Sequence, residues 1–208
     1  MRSVLLRAGL LAGLCGGFCA RASATPVGDA IELYKQRRYA EARNALERVV
    51  ASDPGNAAAC YYLAMALQHA APPSLDPARP WLAKAVRLAP ENEVYLAEYA
   101  GVTMLMADRD NSLGLALEGR DAMTRAIAMN PSDLDACEGL MRFCAKAPWP
   151  LGDPGRALAL AARVAKRDPR RGAADYRLIA SLFEKEGHAQ QALSASQAAQ
   201  RLAPQNAQ

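Results

Sequence analysis

The sequence predicts an all-α superhelix of about five helical hairpins, ten helices in all, and three observations predict it. Five segments end on a proline, at Asp53-Pro54, Ala89-Pro90, Asn130-Pro131, Asp168-Pro169 and Ala203-Pro204, and successive prolines stand 36, 41, 38 and 35 residues apart. Proline lacks an N–H and its ring clashes with the preceding turn, so it closes a helix. A recurrence of this length is that of stacked helical hairpins. Each tail follows an alanine-rich stretch whose apolar residues recur three and four apart, the spacing that gathers them on one helix face. Hydrophobic residues make up 51% of the chain and aromatic residues only 6%, a composition suited to helices packed closely on one another.

The first 24 residues read as an export signal rather than as structure. Arg2 and Arg7 give a basic start, Ala8 to Phe18 an apolar run, and Ala22-Ser23-Ala24 a small-x-small cleavage site. The apolar run is well short of the ~20 residues a spanning helix needs, so no membrane span is expected after cleavage. Leu14 and Phe18 precede Cys15 and Cys19 where a lipidation site calls for a small residue. The expected location is periplasmic or secreted. Loss of Arg2, Arg7 and Arg21, with no acid in the segment, takes the formal charge from +4 to +1, which excludes a basic nucleic-acid footprint.

The remaining cysteines are Cys60, Cys137 and Cys144. Cys137 and Cys144 lie seven apart on one helix, about 10 Å along its axis, too far for the ~7 Å limit of a disulfide. They read as small buried apolar residues.

Residues 25–208 divide into repeats at about 26–56, 57–92, 93–133, 134–171 and 173–206. In the first, Ile31, Leu33 and Tyr34 mark helix A, while Tyr39, Ala42, Leu46, Val49 and Val50 mark helix B. Ala30 and Ala42 stand where the two helices approach and a larger side chain would separate them. The second has Tyr61, Leu63 and Leu67, then Trp81, Leu82, Ala85 and Val86. Its connector carries Pro72 and Pro73, and Asp76 reads as an N-cap with Pro77 in the first turn. The third has a helix from Val94 to Met104, a polar loop at Ala107–Ser112, and a long helix from Leu113 to Met129 with Gly119 at the close approach. The fourth pairs Leu140, Met141, Phe143 and Cys144 with Ala157, Leu160, Ala161 and Val164. Between them lies Ala147-Pro148-Trp149-Pro150-Leu151-Gly152-Asp153-Pro154-Gly155, where prolines and glycines bar helix until Asp153-Pro154 restarts it. The fifth carries Leu178, Ile179, Ala180 and Phe183, then Ala192, Ala195, Ala199 and Leu202. Asn56, Asn92 and Asp133 each follow a tail proline by two residues and suit an N-cap.

In the fifth repeat Tyr176, Ile179, Ala180, Phe183, Ala192, Ser196, Ala199 and Pro204 fall in the order of the tetratricopeptide repeat, which the chain resembles over about residues 26–206. Ile179 and Ser196 depart mildly from that family's pattern. The resemblance implies a right-handed solenoid whose A helices line a concave groove. A narrower likeness rests on Ser112-Leu113-Gly114 and on Ala147-Pro148, Gly152-Asp153 and Arg156-Ala157-Leu158. It is to a group of exported bacterial repeat proteins, and it bears on architecture and location. The carboxylate clamp of chaperone-binding relatives needs Lys and Asn pairs on successive A helices, and the asparagines are missing here.

No catalytic constellation is present in the sequence. His69 and His188 are the only histidines and stand in no metal-ligand spacing; no nucleophile elbow or phosphate-cradling glycine loop occurs. The reading is therefore a non-enzymatic interaction module or scaffold of the bacterial cell envelope, with no cofactor or metal and a protein or peptide partner. The groove positions are Tyr34, Lys35, Tyr61, Met65, Gln68 and Met104 in the first three repeats, with Ile31, His69 and Val94 beside them. In the last two they are Glu138, Arg142, Lys146, Arg177, Ser181 and Lys185, with Glu184. They imply a ligand segment apolar at one end and acidic at the other. The alternatives are a structural subunit of an envelope assembly using its convex face or ends, and a small-ligand carrier or enzyme with a pocket at the Pro-Trp-Pro connector near Trp149, Arg142 and Glu138.

Overall fold

A computed structural model describes residues 25–70, 74–148 and 151–202. The proposed signal, Pro72-Pro73, Trp149-Pro150 and Pro204 with Asn206 lie outside these residues. The described chain is ten α-helices: α1 (Pro26–Lys35), α2 (Tyr39–Ser52), α3 (Ala57–His69), α4 (Ala78–Leu88), α5 (Glu93–Asp110), α6 (Leu113–Met129), α7 (Leu134–Lys146), α8 (Pro154–Arg167), α9 (Pro169–Lys185) and α10 (Ala189–Leu202). Each packs on the next, pairing into five hairpins. The first helices of successive hairpins also touch, α1 on α3, α5 on α7 and α7 on α9, forming an inner row.

Three tails fold identically, and the physical reason is the proline. Asn56 N–H donates to Asp53 O (3.2 Å), Asn92 to Ala89 O (3.1 Å) and Asp133 to Asn130 O (3.2 Å). Each is a turn with proline at its second position, where the fixed φ is already right. The residue that closes the turn then caps the next helix: Asn56, Asn92 and Asp133 accept from the N–H groups of Ala59, Tyr95 and Ala136. The fourth tail differs. Pro169 is the first residue of α9, and Asp168 both ends α8 and caps α9, accepting from Arg170 and Arg171 N–H at 3.0 Å. The fifth repeat's first helix thus begins before the expected Ala173.

Within hairpins, the first and fifth turn tightly, with Arg37 (φ 61°) and Gly187 (φ 79°) in the left-handed region. Two expectations need correcting. Ala107–Asp110 is helix, not loop: α5 runs 18 residues and stops at Asn111 (φ 49°), a left-handed C-cap. The surplus of the third repeat therefore lengthens its helices. Asp76 does not cap α4, whose N-terminal residue makes no side-chain cap bond. Its carboxylate instead takes both terminal nitrogens of Arg109 at 2.8 Å. Pro80 is the third residue of α4, in the first turn, where its missing N–H removes no helical bond.

Close approach explains two glycines. A Cβ on Gly119 would strike the Met104 side chain and come within 3.2 Å of Ala100 O, and one on Gly172 would strike Ala165.

The core is in two parts. Ala30, Leu46, Leu63, Leu82 and neighbours from α1–α4 form one, joined by Val102 of α5. Leu96, Ala100, Leu140, Ile179, Phe183 and neighbours from α5–α10 form the other. Tyr99 packs on both. At this joint Arg79 of α4 reaches across to Thr103 Oγ1 (3.3 Å), the Tyr99 hydroxyl (3.1 Å) and both Glu118 oxygens (2.8 and 2.7 Å).

Candidate partner-binding cleft

The C-terminal ends of α5 and α7 lie side by side, and a cleft of about 710 Å³ opens between them. Met104, Leu105, Leu113, Met123, Phe143 and Leu151 make its apolar lining, and Asp108, Arg142 and Lys146 its rim. The helical period sets this pattern: Gly101, Leu105 and Asp108 share one stripe of α5, and Gly139, Phe143 and Lys146 one stripe of α7. Leu105 and Leu113 are 57% and 59% exposed, far more than folding alone requires of large apolar side chains. Gly101 sits mid-helix with nothing within 4 Å of where its Cβ would be. Glycine there costs about 0.5–1 kcal/mol relative to alanine, and no neighbour among the described residues demands it.

The connector after α7 closes one end. Leu151 and Gly152 N–H donate to Pro148 O at 2.9 and 3.0 Å, and Asp153 N–H reaches back to Cys144 O at 2.9 Å. A Cβ on Gly152 would collide with the Ala147 carbonyl oxygen, so only glycine lets the chain fold onto the helix end. Asp153 then caps α8, accepting from Arg156 N–H at 2.9 Å.

Of the groove residues expected from sequence, the structure brings Met104, Arg142 and Lys146 together here. Lys146 is paired across the cleft with Asp108 (2.8 Å). Arg142 is 59% exposed and only loosely paired, 3.7 Å from Glu138. Glu138 is not an open groove residue: its side chain is 14% exposed and accepts from Arg171 Nε at 2.7 Å. Beside it Asp175 is buried, and its Oδ2 has no hydrogen-bond partner among the described residues. Burial, and then the charge of Glu138, push its carboxyl up to about 6 against the pull of Arg142 and Arg171. Sequence reasoning missed Asp175, which carries no motif.

The other expected residues lie elsewhere on the inner row. Tyr34, Tyr62, Tyr61 and Tyr95 form a ribbon across α1, α3 and α5, with centroids 5.3 Å apart for Tyr34–Tyr62, 5.1 Å for Tyr61–Tyr62 and 4.6 Å for the stacked Tyr61–Tyr95 pair. His69 stacks on Tyr39 at 5.1 Å. Burial raises Tyr34 to about 12 and Tyr61 further, so both stay neutral. Gln68 Nε2 approaches Met65 Sδ (3.5 Å), and Lys35 pairs with Glu32 (3.5 Å). Arg177, Ser181 and Lys185 form an exposed stripe of α9 outside the cleft lining, and the Ser181 hydroxyl is spent on Leu178 O (2.8 Å).

Cys60, Cys137 and Cys144 are buried free thiols whose pKa values burial raises, which suppresses the reactive thiolate. Among the described residues no group of His, Cys, Asp and Glu is placed to hold a metal ion, and no helix is long and apolar enough to cross a membrane.

Residues 29–93 match the tetratricopeptide repeat family. No curated protein matches the chain. Among solved structures, the chain is similar to YrrB, described as a TPR protein with an unusual peptide-binding site, at 18% identity and a TM-score of 0.67, covering 87% of this chain and 86% of that one. It is also similar to the MamA protein, at 19% identity and a TM-score of 0.69, covering 85% and 89%. A third is a thermophilic TPR protein of Thermus thermophilus, at 19% identity and a TM-score of 0.57, covering 87% and 91%. With the repeat matched in sequence over residues 29–93 and the hairpin stack carried through all five pairs, the described chain has the fold of a tetratricopeptide-repeat solenoid.

Proposed function

We propose that this protein is a non-enzymatic scaffold that binds a partner polypeptide along its inner row of helices, seating a bulky apolar side chain in the α5–α6–α7 cleft. The cleft carries the reading: two exposed leucines beside half-buried Met104 and Phe143, with a glycine, Gly101, whose missing side chain no other described residue replaces. Met104, half-buried in this lining, is a side chain that adapts to varied apolar groups. The loosely paired Arg142 on the rim favours a carboxylate next to that side chain. YrrB, alike in fold, is described as having a peptide-binding site, which supports a polypeptide ligand. Basic residues, an apolar run and Ala22-Ser23-Ala24 at the start of the chain support an exported location in the cell envelope.

Selection of a random peptide library on the purified protein tests the cleft. Enriched peptides are expected to share a bulky apolar residue and to bind Gly101→Leu at least tenfold more weakly, a loss of about 1.4 kcal/mol, with helical content unchanged. Peptides without a common apolar residue, or equal binding to the variant, would overturn the assignment. Sequencing the protein's N-terminus from an envelope fraction is expected to give Thr25; a chain still starting at Met1 would refute export by cleavage.

A further inference from the structure

On the same reading of a polypeptide partner, we infer that the inner row holds a second subsite, formed by Tyr61, Tyr95 and Glu98, for a lysine or arginine side chain of the bound segment. Glu98 lies three residues after Tyr95 and so on the same side of α5. Tyr95 stacks on Tyr61 at 4.6 Å between centroids, so Glu98 stands one helical turn from the paired rings. Burial raises its own pKa, and the further contributors, Asp133 and Asp135, are also negative. Among the described residues no lysine or arginine forms an ion pair with it. A half-buried carboxylate one turn from an aromatic pair, with no ion-pair partner among the described residues, suits an incoming cation.

The molecule contains the completed version of this arrangement. Arg79 lies over the Tyr99 ring, 5.5 Å from its centroid, with its guanidinium held by Glu118 at 2.7 Å. There a tyrosine and a glutamate hold an arginine from within the chain. At Tyr61, Tyr95 and Glu98 the tyrosines and glutamate are present and the cation is left for the partner to supply.

The α5 stripe fixes how this subsite relates to the cleft. Glu98, Gly101 and Leu105 follow one another along one face, and the seven residues from Glu98 to Leu105 span about 10 Å. That is about three residues of extended chain. The bound segment therefore carries a basic residue and, about three positions away, its apolar anchor.

N-acetylarginine methylamide and the neutral isostere N-acetylcitrulline methylamide are the probes, read by NMR on the tyrosine ring signals. Arginine is expected to give saturable shifts at Tyr61 and Tyr95, at least fivefold weaker in Glu98→Gln and reduced in Tyr95→Leu, while citrulline gives none. Equal shifts from citrulline, shifts confined to other rings, or an unchanged Glu98→Gln titration would overturn the subsite. Leu113→Ser, in the cleft on α6 and off the α5 stripe, separates the two claims. It should leave the arginine titration unchanged, so peptide binding lost in that variant with no arginine response would refute the subsite and leave the cleft standing. An arginine response without selectable peptides would do the reverse.

Discussion

The two ends of the solenoid are held together by different physics. The α1–α4 end is short-helixed and aromatic: ring contacts of Tyr34, Tyr61 and Tyr62 join its inner row and reach Tyr95 of α5. The α5–α10 end has longer helices and is cross-linked between repeats by charge, with Lys146 on Asp108 and Arg171 on Asp135 and Glu138. Ring contacts exclude water and hold their geometry, whereas exposed ion pairs each contribute little, about 0–1 kcal/mol. The aromatic end thus presents a packed ring surface and the charged end an exposed ionic rim. The cleft lies on the charged side, beside the joint of the two cores.

That division makes the halves separable. Phe183→Ala removes a fully buried ring from the second core and should cost about 3–5 kcal/mol. In hydrogen exchange the loss should appear in α7–α10 and leave α1–α4 protected. Leu46→Ala, at the heart of the first core, should do the opposite. Equal loss of protection in both halves for either variant would show one cooperative unit and end the comparison.

Arg79→Ala tests the joint. It strips the ion pair to Glu118 and leaves the fully buried Thr103 hydroxyl without its arginine, at an expected cost of about 1–3 kcal/mol. Denaturant unfolding should broaden or divide into two steps; a single transition shifted as a whole would show that α5 alone couples the cores.

The smallest effect concerns charge within the second core. Asp175 has a folded pKa of about 6 against an ordinary 3.8, so the folded state holds its proton more tightly. Its burden on stability is absent below pH 3.8, grows as pH rises through that window, and is complete above about 6. Asp175→Asn should therefore be more stable than the parent by on the order of 1–2 kcal/mol at about pH 7, and the gain should vanish by about pH 3.5. A gain independent of pH would mean that the carboxylate is not the cause.

Much of this architecture was legible in the residues because its signals are local. A proline two residues before Asn56, Asn92 or Asp133 encodes a turn and a cap within four positions, and all three formed as expected. Failures came where a distant partner decided the outcome. Ala107–Asp110 looks like loop by composition, yet it stays helical while Arg109 reaches 33 residues back to Asp76. The same pairing takes Asp76 away from the cap its sequence suits. At the cleft, Met104, Arg142 and Lys146 were readable from helical period on first helices. Leu113 and Leu151 were not, since one lies at the start of a second helix and the other in a connector. Glu138 reads as open groove until Arg171, on the next repeat, covers it.

One junction has a consequence for how the chain comes apart. Asp168 is the whole of the link between α8 and α9, whereas the other repeats are separated by a proline turn. Proteases cut where several residues can be drawn out at a loop, and this junction presents no such length. The last two hairpins should be released as one block rather than peeled away singly, and digestion should leave α8 and α9 on the same fragment.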